Sequence, residues 1–331
     1  YILMSIFKDT LKQKQTTSTP LWLMRQAGRH LPEYRKLRSR YPNLMDMFLN
    51  SEEIAKVTLQ PVDRYDLDAA IIFSDILMVP YTLQASIVFN EGGRGPVVDI
   101  DFSKEQKIER AAPVFNAIEK VKEKSTTSLI GFAGGPWTTI FYCLFNSDQR
   151  KKNTQTLIER NESKIDQLIE KFTDATINYA LSQIESGIDA FQLFESWAGI
   201  LNEEQFDKWC IKPTGEIFKE IRNKNIPTIG FPRGASLHSY TQYSYLEGLN
   251  CISLDQNFDL QNITKLNNKI TFQGNLNPET LLRDKEKIVT ETKDILLAFK
   301  KYPHIFNLGH GVLPDTPVES IETLIGVVRE S

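Results

Sequence analysis

Eight short β-rich runs punctuate the chain: Pro20–Met24, Ala69–Asp75, Ser128–Gly134, Ala190–Ser196, Pro227–Pro232, Cys251–Asp255, Ile270–Asn275 and Phe306–Gly311. Most are followed by a stretch of helical periodicity. Ile165, Leu168, Phe172, Ala175 and Tyr179 recur at spacings of three and four, which lays one apolar stripe along a helix that packs on a sheet. Helix starts are marked by Asn202 with Gln205, by Asn277 before Pro278, and by Thr316-Pro317-Val318-Glu319. Strand followed by helix, repeated, predicts a parallel sheet. Eight such units predict an α/β fold of the (β/α)8 TIM type, with a doubly wound open sheet as the alternative. No Pro/Gly/Ser-rich linker or charge block divides the chain, so residues 1–331 read as a single barrel domain. One interruption, Ser86–Ile100 around Gly92-Gly93-Arg94-Gly95-Pro96, reads as a hairpin inserted after the second strand.

Composition narrows the class. At 331 residues with 41% hydrophobic and 24% charged residues, the chain has ample material for its own core. A net charge of -3 is too balanced for a generic polyanion binder, so nucleic acid is not the expected partner. Cys143, Cys210 and Cys251 form no C-x-x-C and have no His at ligand spacing, so neither a disulfide framework nor a metal site is expected. The apolar start from Tyr1 to Phe7 lacks a preceding basic region and does not read as a signal peptide. The longest uncharged window, Ser125–Ser147, contains three glycines and Pro136 and reads as strand, loop and helix start rather than a membrane span. A reduced, cytoplasmic chain is the expectation.

Candidate chemistry gathers where strands end. Arg25, Asp75, Ser196, Asp255, Asn275 and His310 stand at or just past the carboxyl ends of predicted strands, the face on which barrel enzymes assemble their sites. The segment Arg25–Arg40 holds six Lys/Arg and one Glu, a local net of +5 in a chain whose remainder carries -8. Such an island suits a compact anionic ligand, because guanidinium forks grip carboxylate or phosphate with two hydrogen bonds; a solvated basic helix face is the competing reading. Asp75 ends an apolar run and needs a cation, N–H groups or a ligand donor if it is to stay ionised; as a turn or N-cap residue it would need none of these. Gly131-Phe132-Ala133-Gly134-Gly135-Pro136 fits no phosphate-binding pattern and reads as a tight turn, with Trp137, Phe141 and Tyr142 flooring an apolar pocket. His310 lies between Gly309 and Gly311, so its ring is expected to face a cavity. Ser196 lies outside any nucleophile elbow, and Glu195 and Ser196 are expected to pair at a strand end.

These residues also carry a resemblance. Met24-Arg25-Gln26-Ala27-Gly28-Arg29, Ile71-to-Leu77, Gly131-to-Tyr142, Phe191-to-Gly199, Gln273-to-Leu276 and Asn307-to-Gly311 resemble the uroporphyrinogen decarboxylases over about residues 20–320. The resemblance implies a (β/α)8 barrel that works as a homodimer, without metal or cofactor, in a cytoplasmic step of haem biosynthesis. In that step uroporphyrinogen III loses four acetate carboxyls to become coproporphyrinogen III. It further implies that Arg25 and Arg29, with the Gln26-Ala27-Gly28 backbone, bind substrate carboxylates. Asp75 would receive the pyrrole N–H groups and stabilise a cationic ring, and Tyr142, Ser196 and His310 would line the cleft. Tyr142 and His310 are easier proton donors than an arginine. His30 stands where the family usually has Tyr, and Gln256 where Trp is common. A zinc-dependent corrinoid methyltransferase of related fold and a non-catalytic tetrapyrrole-binding protein are the rival readings.

Overall fold

The computed structural model describes residues 5–14, 16–89, 95–151 and 154–331. Strand β1 (Ala69–Ile71) is followed by an antiparallel pair, β2 (Ser86–Phe89) and β3 (Pro96–Asp99). Six further strands complete the set: β4 (Ser128–Gly134), β5 (Ala190–Phe194), β6 (Thr228–Phe231), β7 (Cys251–Ser253), β8 (Thr271–Leu276) and β9 (His304–Leu308). All but β2 and β3 form one parallel sheet in the order β1-β4-β5-β6-β7-β8-β9. Each strand pairs with the one preceding it in that order, with a helical crossover between most pairs, as right-handed βαβ units require.

The segment Pro20–Met24 closes the ring. It forms a single bridge rather than a ladder, Leu21 against Phe306. Phe306 N–H donates to the Pro20 carbonyl (2.8 Å) and Asp68 N–H to the Leu21 carbonyl (3.0 Å), while Leu21 N–H donates to Asp68 Oδ2 (2.7 Å). The segment thus bonds to β9 on one side and to the residue leading into β1 on the other. The expected eight-unit barrel is the observed fold, with one stave reduced to a few bonds.

Two apolar layers hold it. Phe7, Leu11, Trp22, Ala69, Ile130, Ala190, Ile229, Cys251 and Ile305 fill the barrel, and a larger cluster lies between the sheet and the surrounding helices. Phe7 and Leu11 belong to the helix Ile6–Leu11, and Thr271 Oγ1 donates to the Thr10 carbonyl at 2.7 Å, so this helix seals the barrel interior. Ile165, Leu168, Phe172, Ala175 and Tyr179 are all buried on the helix Thr154–Glu185, as their spacing predicts. Window 125–147 resolves into β4 and the helix Pro136–Leu144. No helix among the described residues is long and apolar enough to cross a membrane.

Details differ from expectation. Asn202 and Gln205 form the predicted capping box, but Asn277 caps a 3-10 turn, Pro278–Leu282. Thr316 does not cap the helix Val318–Arg329; its N-cap is Pro317, and Thr316 Oγ1 is buried without a partner. Residues 90–94 between β2 and β3, which include Gly92-Gly93-Arg94 of the expected hairpin, and residues 1–4 of the N-terminal apolar stretch lie outside the described residues.

Candidate active site

The loop Arg25–His30 leaves the closing segment at the carboxyl ends of the strands. Met24 is held by its N–H to Asn307 Oδ1 (2.9 Å) and by its carbonyl to Val312 N–H (2.8 Å). Arg25 then takes a left-handed conformation, φ 59°, an uncommon state for a side-chain-bearing residue that the surroundings must enforce. Gln26 does the enforcing. Only 1% exposed, it accepts from Leu23 N–H through Oε1 (3.0 Å), donates Nε2 to the Ala69 carbonyl (3.2 Å), and spends its own N–H on the Leu23 carbonyl (2.9 Å). Its part is therefore to shape the loop, not to present an N–H as the resemblance implied. The amides of Ala27, Gly28 and Arg29 have no described protein acceptor and remain available to an anion.

Arg25 is solvent-accessible, yet protein atoms crowd it enough for burial to lower its pKa; Asp75 and Tyr142 oppose that shift, and Arg233 and Arg29 reinforce it. Accessible but crowded is what a side chain on the wall of a cleft looks like. Its stem crosses Gly311, where an added Cβ would sit 2.3 Å from Arg25 Cδ, so the glycine after His310 is what lets the arginine pass. Arg29 is exposed at the rim, and Arg35 Nη1 folds back to the carbonyls of Arg29 (2.7 Å) and His30 (3.1 Å).

Asp75 lies past β1, where the chain has already left the sheet. Phe73 N–H is taken by Thr58 Oγ1 (2.9 Å), and Asp75 Oδ1 accepts from Leu77 N–H (2.9 Å) in a side-chain turn. It is not the N-cap of the helix Met78–Thr82, which is Leu77. Oδ2 has no described protein donor. Burial pushes its pKa up to about 6, against the pull of the Leu77 N–H and of Arg25. A carboxylate held at such a cost with one oxygen free is poised for a donor or a cation from outside.

His310 is half-buried beside the same arginines. Burial first, then Arg233 and Arg25, lower its pKa to about 3, so the ring is neutral at working pH. Tyr142, half-buried on the helix Pro136–Leu144, has the Arg150 guanidinium 4.6 Å above its ring and Trp197 edge-on at 6.2 Å. Ser196 is half-buried, and its carbonyl lies 3.5 Å from Arg233 Nη1. Arg25, Asp75, Tyr142 and His310 thus share one mouth, with Arg29 on its rim and Ser196 on a neighbouring wall.

Other expectations are redirected. Glu195 does not pair with Ser196: fully buried, it accepts from Thr138 N–H (3.0 Å) and Thr138 Oγ1 (2.7 Å), clamping the start of the helix that carries Tyr142. Burial pushes its carboxyl up to about 8. Asp255 is a knot, accepting from Gly234 N–H (2.7 Å), the Tyr240 hydroxyl (2.7 Å) and Asn257 N–H (2.8 Å), and Asn275 donates to the carbonyls of Asp255 and Phe258. His30 is buried against Tyr65, with burial lowering its pKa to about 4, and Gln256 N lies where a Cβ on Gly309 would collide. His30 thus packs on Tyr65, and Gln256 packs on the glycine that precedes His310. A hollow of about 250 Å³ between the loops after β6 and β7 is lined by residues such as Tyr240, Asp255 and Phe258, and by none of the expected substrate-binding residues.

Sequence reasoning missed Arg233, which shares the mouth with Arg25 and His310. In Phe231-Pro232-Arg233-Gly234 it is a lone charge after a strand, the same placement that singled out Arg25, and that signal could have found it.

The described residues contain no cluster of three or more His, Cys, Asp or Glu able to hold a metal, so the donor set a zinc methyltransferase needs is not assembled among them. A methyltransferase from Methanosarcina mazei nonetheless shares the fold, with a TM-score of 0.77 at 17% identity over 98% of this chain and 97% of that one. The chain is 42% identical to the uroporphyrinogen decarboxylase of Wolbachia sp. subsp. Brugia malayi (strain TRS), covering 98% of this chain and 95% of that protein. It is 38% identical to that of Rickettsia felis, covering 96% and 94%. The family model described as uroporphyrinogen decarboxylase (URO-D) matches residues 4–331. The chain belongs to the uroporphyrinogen decarboxylase family.

Proposed function

We propose that this cleft removes the four acetate carboxyls of uroporphyrinogen III to give coproporphyrinogen III. The observation that carries the reading is Asp75: an anion raised in free energy by burial, one oxygen pinned by Leu77 and the other open, set beside Arg25. Uroporphyrinogen offers the complementary pattern, four pyrrole N–H donors inside a ring of eight carboxylates. Arg25 and Arg29, with the free amides of Ala27 to Arg29, receive carboxylates at the rim, while Asp75 Oδ2 receives pyrrole N–H groups at the floor.

Protonation of a pyrrole carbon makes that ring a cation. The bond between the acetate methylene and its carboxylate then breaks, CO2 leaves, and the electron pair becomes an exocyclic double bond. A proton added to the methylene and one lost from the ring carbon restore the aromatic pyrrole, now bearing methyl. Each cycle replaces one carboxylate by one hydrogen. A propionate has one more methylene and cannot pass its electron pair into the ring, which explains four losses rather than eight. Ionised Asp75 lowers the energy of the cationic ring in a low-dielectric site. His310, neutral beside two guanidiniums, serves as a hydrogen-bonding wall for the substrate alongside Tyr142 and Ser196.

Family membership supports the further reading that residues 1–331 act as one domain within a homodimer, in the cytoplasm and without a cofactor. Incubation with uroporphyrinogen under anaerobic, reducing conditions tests the function: CO2 release with a four-carboxyl product is expected, and unchanged eight-carboxyl substrate contradicts it. Sedimentation at micromolar concentration tests the dimer.

A further inference from the structure

Arg233 follows β6. Counted around the closed ring, segment 20–24 is the first stave and β6 the fifth, so the loops bearing Arg25 and Arg233 rise from opposite walls of the mouth. We propose that Arg233 is a third carboxylate-binding arginine, gripping the macrocycle from the side opposite Arg25 and Arg29; the proposal rests on the function proposed above.

Its mounting is rigid. Arg233 N–H donates to the Glu195 carbonyl (3.2 Å), its own carbonyl accepts from Gly199 N–H (3.0 Å), and the next amide, Gly234 N–H, is held by Asp255 Oδ2 (2.7 Å). The two loops meet so closely that a Cβ on Gly199 would lie 2.4 Å from the Gly234 carbonyl oxygen. A side chain on such a platform can be placed to within the tolerance that directed binding needs.

The guanidinium, by contrast, is under-used. It is half-exposed, the one hydrogen bond its side chain makes among the described residues is to the Ser196 carbonyl at 3.5 Å, and no described carboxylate pairs with it. It shares the mouth with Arg25, and both act on His310. Like charges fixed in one cleft repel; the carboxylate that opposes this at Arg25 is Asp75, while the nearby Asp255 is spent on Gly234 N–H, the Tyr240 hydroxyl and Asn257 N–H. An arriving polycarboxylate relieves that repulsion and fills the open donors. A ring held along one edge can swing away; gripped from opposite walls, it is bound at more of its carboxylates and leaves the cleft less readily.

Arg233→Gln and Arg233→Lys, compared with the parent enzyme on uroporphyrinogen, test this. The Gln variant is expected to raise KM about tenfold to a hundredfold, the cost of a lost charge-assisted fork, with kcat changed by less than about threefold. The Lys variant is expected to fall between parent and Gln, because charge is kept and the fork is lost. The His310 imidazole followed by NMR is expected to titrate at higher pH in the Gln variant than in the Lys variant, since only Gln removes one of the two flanking cations, whereas loosened packing around the ring would raise both alike. An unchanged KM in a folded Gln variant overturns the proposal. If the Gln variant does not fold, an unchanged KM in the Lys variant overturns it. A parent that fails to decarboxylate overturns the proposed function and this inference with it, whereas an active parent with indifferent variants overturns this inference alone.

Discussion

Replacing Asp75 by Asn removes the floor charge while keeping the turn. The Asn side-chain oxygen still accepts from Leu77 N–H, so local structure should survive. Burial lifts Asp75 from 3.8 to about 6, roughly 3 kcal/mol of disfavour for the ionised form at 1.36 kcal/mol per unit. A pyrrole cation beside it recovers that cost in the transition state, and loss of one preorganised charge of this kind lowers kcat about 10²- to 10³-fold. The mechanism proposed above requires the ionised form. As pH falls through about 6 the carboxyl gains its proton and activity falls about tenfold per unit, a limb that the Asn variant should lack. Asp75→Glu keeps the charge, displaced by one methylene, and should retain more activity than Asn. A turn-forming role alone predicts the reverse order, because Asn serves such turns about as well as Asp and Glu does not. Anaerobic turnover with carboxyl counting across pH 5–8, together with thermal melts, separates the two. A folded Asp75→Asn protein that decarboxylates at near-parental rate would refute the reasoning.

Arg25→Lys and Arg29→Lys should each raise KM several-fold with kcat largely kept, since charge survives and two-point geometry does not; equal substrate affinity in both variants contradicts the forked contact. Glu195 holds its proton to about 8 in the folded chain against about 4.5 unfolded, so the folded state binds more protons between those values and its stability falls as pH rises, by up to about 1.4 kcal/mol per unit. Urea unfolding should show the parent losing stability relative to Glu195→Gln from pH 6 to 8.5, and a constant difference contradicts it. Phe7→Ala, which opens a cavity where the N-terminal helix seals the barrel, should cost about 3–5 kcal/mol in urea unfolding; a loss below about 1 kcal/mol contradicts the plug.

What the sequence makes legible is what local patterning controls. β4 matches its predicted run residue for residue because every position of Ser128–Gly134 is buried and apolar or small. The run at Ala69–Asp75 predicts more strand than forms, because the Thr58 hydroxyl takes the Phe73 amide and the Asp75 turn follows, neither of which an apolar run reveals. The last strand ends at Leu308 rather than Gly311, since Gly309 must press against Gln256 and Gly311 must admit the Arg25 stem. Candidate residues at strand ends were legible as a set, but not their division of labour. Gln26, Glu195 and Asp255 turned inward to hold loops, which depends on partners 43, 57 and 21 residues away. Arg233 carries the same strand-end signal as Arg25, but which wall it stands on is set only by closure of the barrel, which places β6 opposite the Arg25 loop.

The central claim is that acetate, and not propionate, carboxyls leave from this cleft. Uroporphyrinogen III labelled with 13C in the acetate carboxyls, and separately in the propionate carboxyls, tests it under anaerobic turnover with mass analysis of the CO2 and of the product. Four labelled CO2 are expected per acetate-labelled molecule and none from the propionate-labelled one. Label released from propionates, or all eight carboxyls retained, would contradict it.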